Sequence, residues 1–152
     1  MLRFALLWNA ALGRVDGTGM TVALPHRKIF DKCAPEIGPL LIRYFILRTP
    51  FLGIYIHRFL RSDNDRHVHD HPWSFWTLLF HQGYWEHLPD RSRVWRRRWS
   101  LLFRPAEWQH WVEISEPVWT LVIRLRKRRD WGFITHAGWI DHETYDSEWC
   151  ED

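Results

Sequence analysis

From residue 41 onward, apolar and polar residues alternate with a period of two, in short segments broken by turn formers. Side chains at i and i+2 leave an extended chain on the same face, so the pattern predicts β-strands. Strands are expected at 41–48 (LIRYFILR), 53–60 (GIYIHRFL), 74–81 (SFWTLLFH), 83–88 (GYWEHL) and 93–99 (RVWRRRW). More are expected at 100–104 (SLLFR), 108–114 (WQHWVEI), 118–125 (VWTLVIRL) and 131–135 (WGFIT). Turns fall at Thr49-Pro50, Ser62-Asp63-Asn64-Asp65, Gln82-Gly83, Pro89-Asp90, Arg104-Pro105, Glu116-Pro117 and Ala137-Gly138. In 118–125, Val118, Thr120, Val122 and Arg124 share one face, and Trp119, Leu121, Ile123 and Leu125 the other. Both faces are fairly apolar, as expected if one lines an interior and the other packs on a further layer or a partner subunit. Many short strands at this spacing predict an all-β sandwich or barrel, placed at 41–145 as one domain. Residues 1–40, with Gly13, Gly17, Gly19, Pro25, Pro35, Gly38 and Pro39, hold no helical period and read as an irregular N-terminal arm. Residues 146–152 read as a C-terminal tail.

Length and composition suit this picture. The chain has 152 residues, 46% of them apolar, which is enough for one core. Its twelve tryptophans favour a β architecture. Only Lys28, Lys32 and Lys127 are lysines among 21 basic residues. Arginine's planar fork fits carboxylate and phosphate, so anionic ligands come into view, although a genomic bias toward arginine gives the same composition. The formal charge of +3 is too small to argue for nucleic acid. The Arg-Trp interleaving in RSRVWRRRW reads first as an edge strand guarded by charge and only second as a phosphate-and-base surface. Cys33 and Cys150 show no framework or zinc spacing, so a reducing cytoplasm is the expected location. No apolar run reaches membrane-spanning length. The start, MLRFALLWNAALG, is interrupted by Asn9 and lacks a clean cleavage site, which argues against a secretory leader; Met20 is an alternative start.

The chemistry concentrates in HVHDHPW, where His67, His69 and His71 stand two apart. Two imidazoles on one face of an extended segment can converge on one ion, and a third ligand must come from elsewhere. His110, in RPAEWQHW, is the best-placed candidate. Three neutral imidazoles with open positions describe a catalytic rather than a closed structural metal site.

These residues resemble the cupin superfamily. His69-Asp70-His71, four residues, Trp76, six more and Gly83 follow the spacing of its first motif, with Trp76 standing where a Glu ligand would be. Pro105 and His110 keep the identities of its second motif. More narrowly, RSDNDRHVHDHPWSF, GYWE, RPAEWQH and DWGFIT resemble a group of small bacterial and phage cupin-like proteins of undefined activity. The resemblance implies an RmlC-like antiparallel β-barrel or jelly roll holding one divalent transition metal. Iron is favoured, with zinc, nickel or manganese as alternatives. Without the Glu, the ligand set is similar to the three-histidine iron of thiol dioxygenases, and His67 or Glu86 are candidates for an extra ligand.

Asp70 is a candidate to orient an imidazole from behind. Arg104 and Arg58 are candidates to bind an anionic substrate, Tyr84 to move a proton, and Trp73, Trp76 and Trp108 to line the cavity. The expected function is a mononuclear non-haem metal enzyme acting on a small anionic molecule. Oxygen-dependent chemistry stands slightly ahead of isomerisation or hydrolysis, and a non-catalytic sensor or structural module is the alternative. A homodimer is expected from the two-sided apolar strands and the arm, while nucleic-acid and membrane partners are not.

Overall fold

The computed structural model describes residues 24–31, 33–63 and 67–148. Residues 1–23 of the expected arm, 149–152 of the expected tail, and Asn64 and Asp65 of one expected turn lie outside the described residues. The described chain runs β1 (His26–Phe30), β2 (Pro39–Arg48), β3 (Gly53–Phe59), β4 (Phe75–His81), β5 (Tyr84–His87) and β6 (Arg93–Arg96). It continues through β7 (Leu101–Arg104), β8 (Trp111–Glu113), β9 (Val118–Arg124), β10 (Gly132–Thr135), β11 (Gly138–Asp141) and the helix α1 (His142–Glu148).

Every expected strand is present, several of them shortened. The strand expected at 93–99 stops at Arg96, because Arg98 and Trp99 form a turn in which Trp99 takes a φ of 68°. Three elements correct the sequence reading. β1 lies inside the stretch read as arm and pairs along β2, from His26 opposite Tyr44 to Phe30 opposite Pro39. β11 and α1 follow the last expected strand. Cys33 is disulfide-bonded, which corrects the expectation that the cysteine spacing carries no disulfide.

All strand pairing is antiparallel. A six-stranded sheet has the order β1-β2-β3-β9-β4-β7, a three-stranded sheet the order β6-β5-β8, and β10-β11 form a hairpin. The barrel is therefore open, since each sheet keeps its own edges. Side-chain alternation sorts the large sheet cleanly. Tyr44, Ile56, Phe80 and Trp119 cluster on its outer face, with Ile42, Ile46 and Leu121 packed against them. Arg43, Tyr55, His57, Thr120 and Val122 point the other way, into a cavity of about 630 Å³. The face division read from 118–125 is the one observed. Below the cavity, Leu79 and Val118 meet Tyr84 and Val112 of the small sheet and fasten the two layers together. Burying such side chains stabilises by about 1.5–3 kcal/mol each. No described helix is long and apolar enough to cross a membrane.

Candidate metal centre

Backbone pairing assembles the site. His69 and His110 exchange two N–H···O=C bonds, each 3.0 Å, in an antiparallel bridge. His71 donates its amide to the Ala106 carbonyl at 2.9 Å. On the other side of the same segment, Asp70 donates to the Gly132 carbonyl at 3.0 Å and Ile134 to that of Val68 at 2.9 Å. The His segment is thus held between the loop before β8 and the strand β10, and its two-residue period turns His69 and His71 to one face. One nitrogen from each of His69, His71 and His110 lies within 4.8 Å of the others, and these three form the candidate metal group among the described residues. The Nε2 atoms of His71 and His110 are 2.9 Å apart. Two ligand nitrogens about 2.1 Å from one ion and at about a right angle to each other would be about 3 Å apart, so the donor set fits a transition metal.

Behind His110 stands Glu86, fully buried on β5. Its Oε1 accepts from His110 Nδ1 at 2.6 Å, Arg104 Nε at 2.8 Å and Trp108 Nε1 at 3.0 Å. Its Oε2 accepts from Arg96 Nε at 2.6 Å and Arg104 Nη2 at 2.8 Å. Burial alone would raise this carboxyl's pKa. The His110 hydrogen bond, the charges of His110 and Arg104 and the Arg96 hydrogen bond outweigh burial and hold it well below the usual carboxylate range. With its proton on Nδ1 facing the carboxylate, His110 presents the Nε2 lone pair to the site.

No protein-family model and no curated protein matches the sequence. Solved structures do match the fold. An Fe(II) HppE structure superposes with a TM-score of 0.55 at 10% identity, over 70% of this chain and 58% of that one. The polyketide cyclase RemF from Streptomyces resistomycificus matches with 0.55 at 13% identity, over 71% of this chain and 79% of that one. A putative mannose-6-phosphate isomerase from Ralstonia eutropha JMP134 matches with 0.51 at 19% identity, over 59% and 87%. The chain has a cupin-like fold. It spans 58% of the length of the HppE chain.

Around this centre the remaining candidates sort by the direction of their side chains. Glu86 is not positioned as an extra ligand, because five donors already occupy its two oxygens. His67 is turned toward Tyr145, its Nδ1 lying 3.1 Å from the hydroxyl. Asp70 faces the β10-β11 hairpin. It accepts from the Gly132 amide at 2.8 Å and Trp139 Nε1 at 2.9 Å, and pairs with Arg129 at 2.9 Å, so it ties the β10-β11 hairpin to the His segment. Arg104 is spent on Glu86, and Arg58 lies over the Trp119 ring on the outer face, so neither is free to bind a substrate anion in the cavity. Tyr84 and Trp73 line the cavity. Burial raises the Tyr84 pKa and keeps its phenol protonated. Trp76 is exposed and packs on Phe103 across the β4-β7 pair. Trp108 carries Arg104 on its ring and donates to Glu86. Sequence reasoning overlooked Arg43 and His57, whose side chains enter the cavity.

Three imidazoles, the buried His57 and His110 and the half-buried His71, have pKa values below the ordinary 6.5. Burial is the first cause for each, reinforced by Arg43 at His57 and by His110 at His71; His110 falls to about 4 despite the Glu86 hydrogen bond. The unfolded chain therefore binds more protons than the folded one below pH 6.5, and stability is lost as the pH drops through that range. For His110 alone the loss at pH 5 is on the order of 2 kcal/mol. The metal-free protein should melt several degrees lower at pH 5 than at pH 7.5 in calorimetry at constant ionic strength. Equal midpoints would contradict three desolvated neutral imidazoles.

Proposed function

We propose that this cupin-like chain is a mononuclear metal-dependent enzyme that works on a small molecule held in the cavity between its sheets. The observation carrying this reading is the convergence of His69, His71 and His110 on the cavity wall, with Glu86 fixing the His110 tautomer. His69, His71 and His110 would hold the ion, leaving positions open toward the cavity. A bound ion supplies Lewis acidity and, when redox-active, the means to use oxygen. Iron is the favoured metal, supported by the neutral nitrogen donor set and by the Fe(II) in the HppE structure that shares the fold. Oxygen-dependent chemistry is accordingly placed ahead of isomerisation or hydrolysis. The chain's own residues supply the rest. Glu86 holds a proton on His110 Nδ1, Phe75 and Phe133 present apolar surface that excludes water, and the protonated Tyr84 phenol can donate a hydrogen bond to a cavity ligand.

Elemental analysis of protein purified without an affinity tag tests the reading. Wild type should carry one metal per chain, and His71→Ala and His110→Ala should each lose most of it while remaining folded by circular dichroism. Full metal content in either variant, or none in wild type after anaerobic Fe(II) loading, would defeat the metalloenzyme. Stoichiometric zinc that iron cannot replace would move the reaction to hydrolysis.

A further inference from the structure

Arg43 is a cation lining the cavity, and among the described residues no carboxylate is bonded to it. It sits on β2 between Arg27 of β1 and His57 of β3 in the strand register. Among the described residues its guanidinium makes one hydrogen bond, from Nε to His57 Nε2 at 2.9 Å. The group lies 5.3 Å from the centroid of the Tyr55 ring, and Tyr55 in turn stacks on His57. His57 therefore accepts through Nε2 as a neutral imidazole and fixes the plane of the fork. The Nη1 and Nη2 donors remain for something else.

The charges around Arg43 do not supply that partner. Burial lowers its pKa, Tyr55 raises it, and Arg27, Arg124 and Arg48 lower it further. The carboxylates that line the same cavity are held by other groups or other elements. Asp31 accepts from the Cys33 amide and pairs with Arg61, Asp63 accepts from the Val112 amide, and Asp146 is carried by α1. A half-buried guanidinium in a field of other cations favours an anion strongly, since desolvation without a counter-charge is costly. A planar fork with two free nitrogens matches a carboxylate or phosphate edge.

Building on the reading of the cavity as the substrate site, we propose that Arg43 anchors the carboxylate or phosphate of the small molecule that binds there, with His57 and Tyr55 holding the guanidinium in place. The substrate class is then a small acid with an apolar body. Its anionic end lies on the Arg43 wall, and the rest extends along the Phe75 and Phe133 side toward the histidines.

Thermal-shift titrations of metal-free wild type with benzoate, inorganic phosphate and benzamide, the neutral isostere of benzoate, test the anchor. Benzoate or phosphate should raise the midpoint with concentration, and benzamide should not. The stronger of the two anions identifies the headgroup. Arg43→Gln should weaken that binding about tenfold or more and leave the metal content of loaded protein unchanged. In wild type the same anion should protect Arg43 from phenylglyoxal, read by peptide mass, which keeps the test independent of how the variant folds. Benzamide stabilising as well as the acids, unchanged anion affinity in Arg43→Gln, or modification of Arg43 unaffected by the anion would overturn the proposal. Because binding is read without metal, a failed metal analysis would sink the metalloenzyme and leave this result standing.

Discussion

Glu86→Ala should be the most damaging single substitution near the site, lowering the melting midpoint by about 10 °C or more. The carboxylate is fully buried and is the common acceptor for Arg96, Arg104, Trp108 and His110. Removing it strands Arg104, itself 3% exposed, as a buried cation with no counter-charge. Breaking one side of a buried pair costs about 3–5 kcal/mol. At this chain length each kcal/mol moves the midpoint by about 2–4 °C. Any folded fraction should bind metal about 10–100-fold more weakly, because His110 loses the group that orients its ring. Glu86→Gln keeps the shape and one acceptor oxygen but not the charge, and should fall between the two. Differential scanning calorimetry with metal titration on all three proteins reads both effects. A Glu86→Ala midpoint within 2 °C of wild type would show that the network contributes little.

The legibility of the sequence follows from how much of each element is buried. β2, β3, β4 and β9 alternate because each has one face in the cavity and one in a packed layer, and their strands were readable. β1 was not, since HRKIF is an edge strand almost wholly exposed and an exposed strand has no hydrophobic period to show. The helix HETYDSE hid for a similar reason, because Tyr145 is the buried hydrophobic residue that docks it on Phe133. The histidines stood out because period two and metal ligation make the same demand on spacing. The arginines did not. In a strand apolar on both faces, parity alone leaves inside and outside undecided, so Arg58 reads as a candidate anion ligand and Arg43 does not stand out. One signal was present and unused: Tyr84 and Glu86 share parity on β5, and an acid beside a buried phenol needs donors of its own, which Arg104 and His110 supply.

Gly132→Ala should couple a packing defect to the metal site. Gly132 opens β10, where its amide donates to Asp70 Oδ1 at 2.8 Å and its carbonyl accepts from the Asp70 amide at 3.0 Å. A Cβ there would overlap the Ile140 carbonyl oxygen and sit 2.8 Å from its carbonyl carbon. That neighbour is backbone of the paired strand, so no side chain can swing aside and the hairpin itself must shift. Overpacking of this kind costs about 1–3 kcal/mol, and a backbone obstacle puts this case at the upper end. The shift also reaches the ligands, because Phe133 of the same strand bridges His69 and Asp70 lies between His69 and His71. Gly138→Ala in the same hairpin is the control. Its φ of 103° strains an alanine by about 1–2 kcal/mol, yet nothing lies within 4 Å of the added carbon. Both variants should therefore melt below wild type, but only Gly132→Ala should weaken metal binding, by several-fold in a competitive chelator titration. Equal metal affinities in the two variants would mean that β10 does not position His69, and the backbone route from this glycine to the site would have to be abandoned.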